Sequence, residues 1–508
     1  MAGGVFNIVQ WDPAKHTGKR IFNSRIVNEV KGKTTQHPYE KSRLVIQAYN
    51  DEGKAMILTQ SPTIQRISQR LLLAFGPALM KKKGAVIWLR DITQAYVQST
   101  TLLNRLILAN LPKELQHLYP QNTLMEVKKP LYGIPEAGNH WWATYHKHHI
   151  ERLGMEASTY DPCLLITKTE NKDTDMFGII GIQTDDTLGL STEKFVNLEE
   201  EQLHEAKFRA KPKEVLSVST PLNFNGCMLS LKEDGSLQLR QKDQGKKIRL
   251  VDLKSVNRNK EYMEQRARGA YIGTICQPET AFDLSVAAQH QNPTDEDITA
   301  LNKRLQWQID HTDRGLNMVE LDLPTLKIFV FVDGSFAGNK DLSSQIGYTI
   351  ILANEVTYKG EARFEIYGNL IHWSSTKCKR VTRSVLASEI YGMSGGVDMA
   401  IAVDTTIKKI TDGLGLATIP IVVCTDSFSL YECLVKLGTT KEKRLMIDVM
   451  SLRESYQRRE LQEIRWINGK DNIADALTKT GPNLALQHFI DTNRHTVRVE
   501  GWVERDMQ

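Results

Sequence analysis

Phe177-Gly-Ile-Ile-Gly-Ile-Gln-Thr-Asp-Asp-Thr-Leu-Gly-Leu190 is an apolar run of strand length that reaches a Thr-Asp-Asp-Thr tip and then resumes. The pattern predicts a β-hairpin with Asp185 and Asp186 side by side at its turn. Adjacent anions repel, and the pairing becomes favourable when a cation sits between them. Upstream, Val86-Ile-Trp-Leu-Arg-Asp91 is a second apolar strand that ends in an acid. Three carboxylates on neighbouring strand ends are what two divalent ions need to clamp an in-line phosphoryl displacement. The alternative reading of the pair is a solvated turn. Its surroundings decide between them.

Those surroundings form an ordered series. Lys41-Ser-Arg-Leu-Val-Ile-Gln-Ala-Tyr49 comes first, then Gln60-Ser-Pro62, then Asp91-Ile-Thr-Gln-Ala-Tyr96. Leu131-Tyr-Gly-Ile-Pro-Glu-Ala-Gly-Asn-His-Trp141 and Thr184-Asp-Asp186 follow. In order and spacing the series resembles the reverse transcriptase of copia-type LTR retrotransposons. Farther on, Arg268-Gly-Ala-Tyr-Ile-Gly-Thr274, Gln277-Pro-Glu279 and Asn292-Pro-Thr294 resemble the segment joining polymerase to ribonuclease H in that family.

The resemblance implies roles for particular residues. Asp91, Asp185 and Asp186 would bind two magnesium ions. Lys41 and Arg43 would lie over the incoming triphosphate, and Tyr96 would press on the sugar's 2′ position as a steric gate. Gly133 would let the backbone approach the template nucleotide. The chain departs from the family pattern twice. Gln183-Thr184 replaces Tyr-Val before the paired acids, which removes a ring expected near the primer terminus. Pro135-Glu136 replaces Lys-Gln, which removes or reverses a contact to nucleic acid.

From Leu326 the pattern changes. Lys327-Ile-Phe-Val-Phe-Val-Asp333 is a buried strand ending in an acid, followed by strands at Gln345 to Leu352 and around Ile371 to Ser374. Glu389 falls in a helical stretch from Ser384 to Met399, and Ile419-Pro-Ile-Val-Val-Cys-Thr-Asp426 is another strand that ends in an acid. A charged helix near Lys441 to Glu460, the strand Glu463 to Ile467 and then Asp475 complete the series. One carboxylate from each of four elements is the plan of a ribonuclease H fold. Asp333, Glu389, Asp426 and Asp475 would hold a second pair of magnesium ions and cleave the RNA strand of a hybrid.

The expected fold is a multidomain mixture of α/β and α+β units. A right-hand polymerase has fingers and palm over 1–225 and a thumb and connector over 226–325, and a ribonuclease H-like α/β domain follows over 326–508. Helices are expected from Ile64 to Met80, Gln94 to Leu103, His140 to Leu153 and Glu261 to about Ile309, with a hairpin turn at Lys232-Glu-Asp-Gly-Ser236. Composition fits a soluble globular chain of 508 residues, 41% hydrophobic and 25% charged, with a net charge of only +5. The basic residues cluster, however, at Lys81-Lys-Lys83, Lys207 to Lys213 and Arg240 to Arg249. Such runs beside a carboxylate site suit a phosphate-tracking groove.

Six cysteines without a CxxC pair read as reduced core residues, and His140, His146, His148 and His149 as helix surface. No apolar run is long enough to span a bilayer, so an intracellular location is expected, in a cytoplasmic particle or the nucleus. The partners implied are RNA template, primer, RNA/DNA hybrid and dNTPs, with no membrane and with dimerisation left open. The rival reading is a relic that binds nucleic acid without catalysis. In the family this segment sits in a longer polyprotein, and capsid, protease and integrase parts are not visible here.

Overall fold

Gly178–Gln183 and Asp186–Ser191 pair antiparallel, with Gln183 opposite Asp186, so the hairpin turns through Thr184 and Asp185 as the sequence predicts. The computed structural model describes residues 4–31, 38–168, 175–435, 440, 442–481 and 484–504. Around the hairpin lies a six-stranded antiparallel sheet in the order Glu214–Val215, Val86–Asp91, Asp186–Ser191, Gly178–Gln183, Leu164–Thr167, Met155–Ala157. Two glycines bring its layers close. A Cβ on Gly181 would stand 2.4 Å from Ile64, and one on Gly189 would meet the Trp88 ring at 2.2 Å.

The helix Arg66–Lys83 packs on this sheet through Ile67, Leu71, Leu72 and Phe75, and Gly84 ends it in a left-handed conformation. A separate four-stranded sheet draws strands from both before and after this helix (Phe6–Gln10, Thr123–Val127, Ile107–Asn110, Ile21–Phe22), and Ser24–Lys31 pairs with Tyr39–Ile46 in a two-stranded ribbon. The helix expected from Gln94 to Leu103 is only a 3-10 turn, Ala95–Gln98. Gln94 enters it with φ 52°, and Gln98 turns its amide onto the carbonyls of Thr93 and Arg209. The backbone N–H of Thr100 donates to the Thr144 hydroxyl instead of continuing a helix.

The expected helical stretch is three helices, Arg258–Cys276, Ala281–Ala287 and Asp295–Asp310, around Tyr262, Ile272, Leu284, Ile298 and Leu305. Thr294 and Asp297 start the last of them with reciprocal side-chain-to-backbone bonds. Beside them, Leu222–Phe224, Cys227–Leu231, Leu237–Gln241 and Leu316–Met318 form a sheet. Its turn at Lys232 to Ser236 is closed by the Lys232 N–H donating to the Ser236 carbonyl.

The C-terminal part is a six-stranded closed barrel: Leu326–Ser335, Gln345–Thr357, Arg363–Lys377, Arg494–Glu504, Glu463–Ile467 and Ile421–Thr425. The predicted strands are all present. The strand Arg494–Glu504 is additional to the expected ones; it pairs with Arg363–Tyr367 through its first half and with Glu463–Ile467 through its second. The helix bearing Glu389 runs from Val385 to Leu414, a full 30 residues, where the sequence suggested it ended near Met399. Met446–Gln457 replaces the longer helix expected from Lys441, a residue outside the described ones.

The barrel docks directly on the hairpin sheet. Arg70, from the helix Arg66–Lys83, is fully buried at the junction. It donates to the carbonyls of Ile371 (2.7 Å), Thr274 (2.8 Å) and Ile275 (3.4 Å) and lies 4.1 Å over the Trp373 ring. Its partners are carbonyls, not carboxylates, and burial pulls its pKa down to about 9. The hydroxyl pairs Ser158–Thr406 (2.6 Å) and Thr159–Thr405 (2.9 Å) extend the contact. Arg70→Ala should strip three carbonyls of their donor and remove a cation–π contact, destabilising the chain by about 2–5 kcal/mol. Scanning calorimetry should show the barrel and the N-terminal sheets melting apart, where the parent chain gives one joint transition.

Candidate active site

Asp91 is the last residue of its strand, and the sheet register sets it directly opposite Asp186. The Asp185 carbonyl accepts from the N–H of Ile92 at 2.9 Å, and the Asp91 carbonyl from that of Lys211 at 2.9 Å. Backbone hydrogen bonds therefore fix all three acids on one sheet end. At the turn, Thr184 is left-handed (φ 58°), and its carbonyl accepts from the indole N–H of Trp141 at 2.8 Å.

The electrostatics are those of crowded anions. Desolvation, then Asp185 and Asp91, push Asp186 up to about 7. Asp185 faces solvent yet is desolvated enough for its pKa also to rise; Asp91 adds to this, while Lys41 and Lys211 oppose it. Lys211 pairs with the Asp91 carboxylate. Lys41 thus lies within electrostatic reach of Asp185. Arg43 is ion-paired to Glu29 at 3.1 Å and lies 5.9 Å over the Tyr132 ring.

Tyr96 stands 5.1 Å from Tyr132, ring to ring. Both phenols are shifted upward, by burial first and then by Asp185, which places the rings beside that acid. Gly133 has φ 87°, a conformation suited to glycine. A Cβ there would stand 1.9 Å from the Ile46 carbonyl, so the close approach it permits is to the strand Tyr39–Ile46. Glu136 is buried and bidentate to Arg105 at 2.6 and 2.8 Å, so the sign reversal at that position is absorbed inside the fold. Gln183 leaves its side-chain carbonyl buried without a hydrogen bond.

Two of the four histidines are not helix surface. His148 and His149 are buried against Tyr145 and Phe208, and burial lowers their pKa values to about 4 and about 3. His146 is half-buried and also lowered by burial, while His140 pairs with the Thr101 hydroxyl at 2.7 Å. The apolar periodicity of Trp141, Tyr145, His148 and His149 carried that signal.

A second acid group lies in the barrel. Asp333, Glu389 and Asp426 bring one carboxylate oxygen each within 4.8 Å of one another. Among the described residues it is the group drawn tightly enough to hold a metal as it stands. Burial, then Asp333 and Asp426, push Glu389 up to about 9, and its Oε2 is buried without a hydrogen bond. Burial, then Asp333, push Asp426 up to about 6. An orphaned carboxylate oxygen among buried anions fits a hard divalent ion. Asn472 orients Asp426 at 3.1 Å, and the Thr478 hydroxyl donates to Asp333. Asp475 stands outside the trio, ion-paired to Lys479, which also lies 3.5 Å from Asp333. Trp141, Tyr132, Lys211, Asn472 and Lys479 have no role assigned from sequence; Tyr132 and Trp141 fall within the Leu131–Trp141 stretch and Lys211 within a basic run, and those are the signals that point to them.

No protein-family model matches the chain. Its homologues are copia-type Gag-Pol polyproteins. It is 22% identical to the Transposon Ty1-GR3 Gag-Pol polyprotein of Saccharomyces cerevisiae, over 76% of this chain and 23% of that protein. The Ty1-OR and Ty1-BR polyproteins match equally. The chain thus spans about a quarter of the length of these relatives. Among solved structures, it is similar to a foamy viral protease-reverse transcriptase in complex with dsDNA, at 13% identity and a TM-score of 0.49. That match covers 88% of this chain and 77% of the other. The same viral protein in complex with an RNA/DNA hybrid matches with a TM-score of 0.45 and 12% identity, over 89% and 50% of the two chains.

The shifted carboxyls set a pH dependence. Each titrates above its unfolded value, so protonation stabilises the metal-free fold. That benefit is lost as pH rises through about 6 for Asp426, about 7 for Asp186 and about 9 for Glu389. Divalent binding requires the anions and opposes the loss. Millimolar Mg2+ should therefore raise Tm more at about pH 8.5 than at about pH 5.5. An increment that does not change with pH in a thermal-shift series contradicts this account.

Proposed function

We propose that this relative of the Ty1 polyproteins is a retroelement reverse transcriptase with its own ribonuclease H. The observation that carries the reading is the register that sets Asp186 opposite Asp91, with Asp185 adjacent in a hairpin turn. The acid trio of the barrel supports a second centre of the same metal-dependent kind. We divide the chain into fingers and palm over 1–225, thumb and connector over 226–325, and ribonuclease H over 326–508. RNA and then DNA would serve as template, with a primer and dNTPs.

Asp91, Asp185 and Asp186 would hold one pair of magnesium ions, and Asp333, Glu389 and Asp426 another with Asp475 nearby; bound there, the ions supply Lewis-acid activation of the attacking oxygen and charge neutralisation at phosphate. The chain's own residues do the rest. Lys41 faces the acids from the ribbon and would meet a triphosphate. Tyr96 and Tyr132 wall the space beside Asp185. Lys246, Lys247, Arg249 and Arg268 line a cavity of about 540 Å³ on the helical unit together with Glu261 and Glu264, the latter paired to Arg268, and the surplus of cations suits a nucleic-acid backbone.

Two experiments test the reading. The purified chain should extend a primed RNA template in Mg2+ and cleave RNA in a hybrid. Asp185→Asn should abolish extension and spare cleavage, and Asp426→Asn should do the reverse, because the two acid groups occupy different sheets. A folded parent chain that binds primer-template and adds no nucleotide in Mg2+ or Mn2+ would leave only the nucleic-acid-binding relic. Tyr96→Val should raise ribonucleotide incorporation relative to deoxynucleotide by about 10-fold or more, since a ring excludes a 2′-hydroxyl by bulk. An unchanged ratio returns Tyr96 to packing against Tyr132.

A further inference from the structure

We infer that Trp141 is a positioning residue of the Asp185–Asp186 hairpin, holding the acids in place through the Thr184 carbonyl. This rests on the polymerase reading of that hairpin. Thr184 is β-branched and left-handed at φ 58°, a conformation that costs on the order of 1–3 kcal/mol and persists only when surrounding structure enforces it. A two-residue loop closed by the Gln183–Asp186 pair calls for positive φ at its first residue, a place that Gly, Asn or Asp fills at little cost, so a β-branched Thr184 there leaves strain that outside contacts must offset. Two donors meet the turn from outside: the Ile92 N–H, 2.9 Å from the Asp185 carbonyl, and the Trp141 indole N–H, 2.8 Å from the carbonyl of the left-handed Thr184 itself.

Trp141 is itself immobile. Its ring is fully buried, stacked on Tyr145 at 4.9 Å and edge-on to Phe208 at 5.7 Å. Tyr145 continues the same support, with its hydroxyl 3.1 Å from that of Thr187, the residue after Asp186. The helix Ala137–Arg152 that carries both rings begins beside Glu136, which is locked to Arg105. A rigid aromatic layer therefore braces the turn at Thr184 and the strand at Thr187, on either side of the two acids. The polar atoms of the two rings meet the Thr184 carbonyl and the Thr187 hydroxyl, so Trp141 acts through the backbone and not on the reacting atoms.

Trp141→Phe keeps an aromatic ring in the stack and removes the donor. We expect a folded protein with unchanged primer-template affinity and unchanged hybrid cleavage. Its kcat for nucleotide addition should fall on the order of 10-fold, and its Mn2+ affinity, counted by electron paramagnetic resonance in an Asp426→Asn background, should weaken. Amide exchange over 183–187 should accelerate. Adding Thr184→Gly should recover part of the loss, because glycine adopts the left-handed turn without the anchor; a packing defect would not be rescued this way. If Trp141→Phe does not fold, β-(3-benzothienyl)alanine at 141 keeps the indole's shape and lacks the N–H. Unchanged exchange and Mn2+ affinity in either folded variant overturns the inference, as does an absent rescue by glycine. A parent chain that extends no primer refutes the polymerase reading alone, since exchange and metal affinity still report on the turn.

Discussion

Packing carboxylates against one another in desolvated surroundings is the constraint under which both centres are built. Water would separate such charges, and removing it raises the pKa values of Asp186, Glu389 and Asp426 well above the ordinary carboxyl range. The fold accepts this because backbone pairing fixes the strands that carry the acids, and side chains such as Asn472 and Thr478 orient them further. Asp91 and Asp186 are opposed by β-register, and Asp333 is fixed by a strand paired on both sides. Gly392 admits the backbone of Asp333 to the helix that bears Glu389; a Cβ there would stand 2.6 Å from the Asp333 carbonyl. Lysines take up part of the repulsion: Lys211 at Asp91, Lys479 at Asp333 and Asp475.

The hairpin, the strand ending at Asp91 and the barrel strands were legible because each is a short apolar run that ends at an acid. Period and punctuation suffice for such elements. The failures have physical reasons. Gln94 to Leu103 has helical composition, yet Gln98 spends its amide on the neighbouring loop and the chain leaves after one turn. The helix bearing Glu389 runs past Met399 because Ala400, Val403, Ile407 and Ile410 continue its buried face. The histidines next to Trp141 look polar by type and are buried by position. Trp141, Tyr132 and Lys479 matter through contacts across the fold, which no local pattern encodes. Arg494-His-Thr-Val-Arg-Val-Glu500 does alternate as a strand should, so that element was readable.

Arg70 shows how the two halves become one body. A cation buried on carbonyls gains no ion-pair energy, and its value lies in geometry. One planar fork reaches a strand of the barrel and the end of the helix Arg258–Cys276 at once. The distance between the two acid groups is thereby set by packed structure, with no linker to vary it. Under the proposed function, a duplex engaged at one acid group would meet the other at a fixed spacing.

Closure of the barrel by Arg494–Glu504 carries a consequence for how the chain acquires its shape. Arg363 pairs with Arg498, so the strand that seals two sheet edges is joined to them only across a long stretch of chain. Pairing at such separation is slow, because loop entropy is lost before contacts repay it. Until the last strand arrives, Arg363–Lys377 and Glu463–Ile467 present open edges of the kind that recruit strands from other molecules. The interval before closure is when this protein is most exposed to aggregation, and a chain shortened by a dozen residues would remain in it permanently.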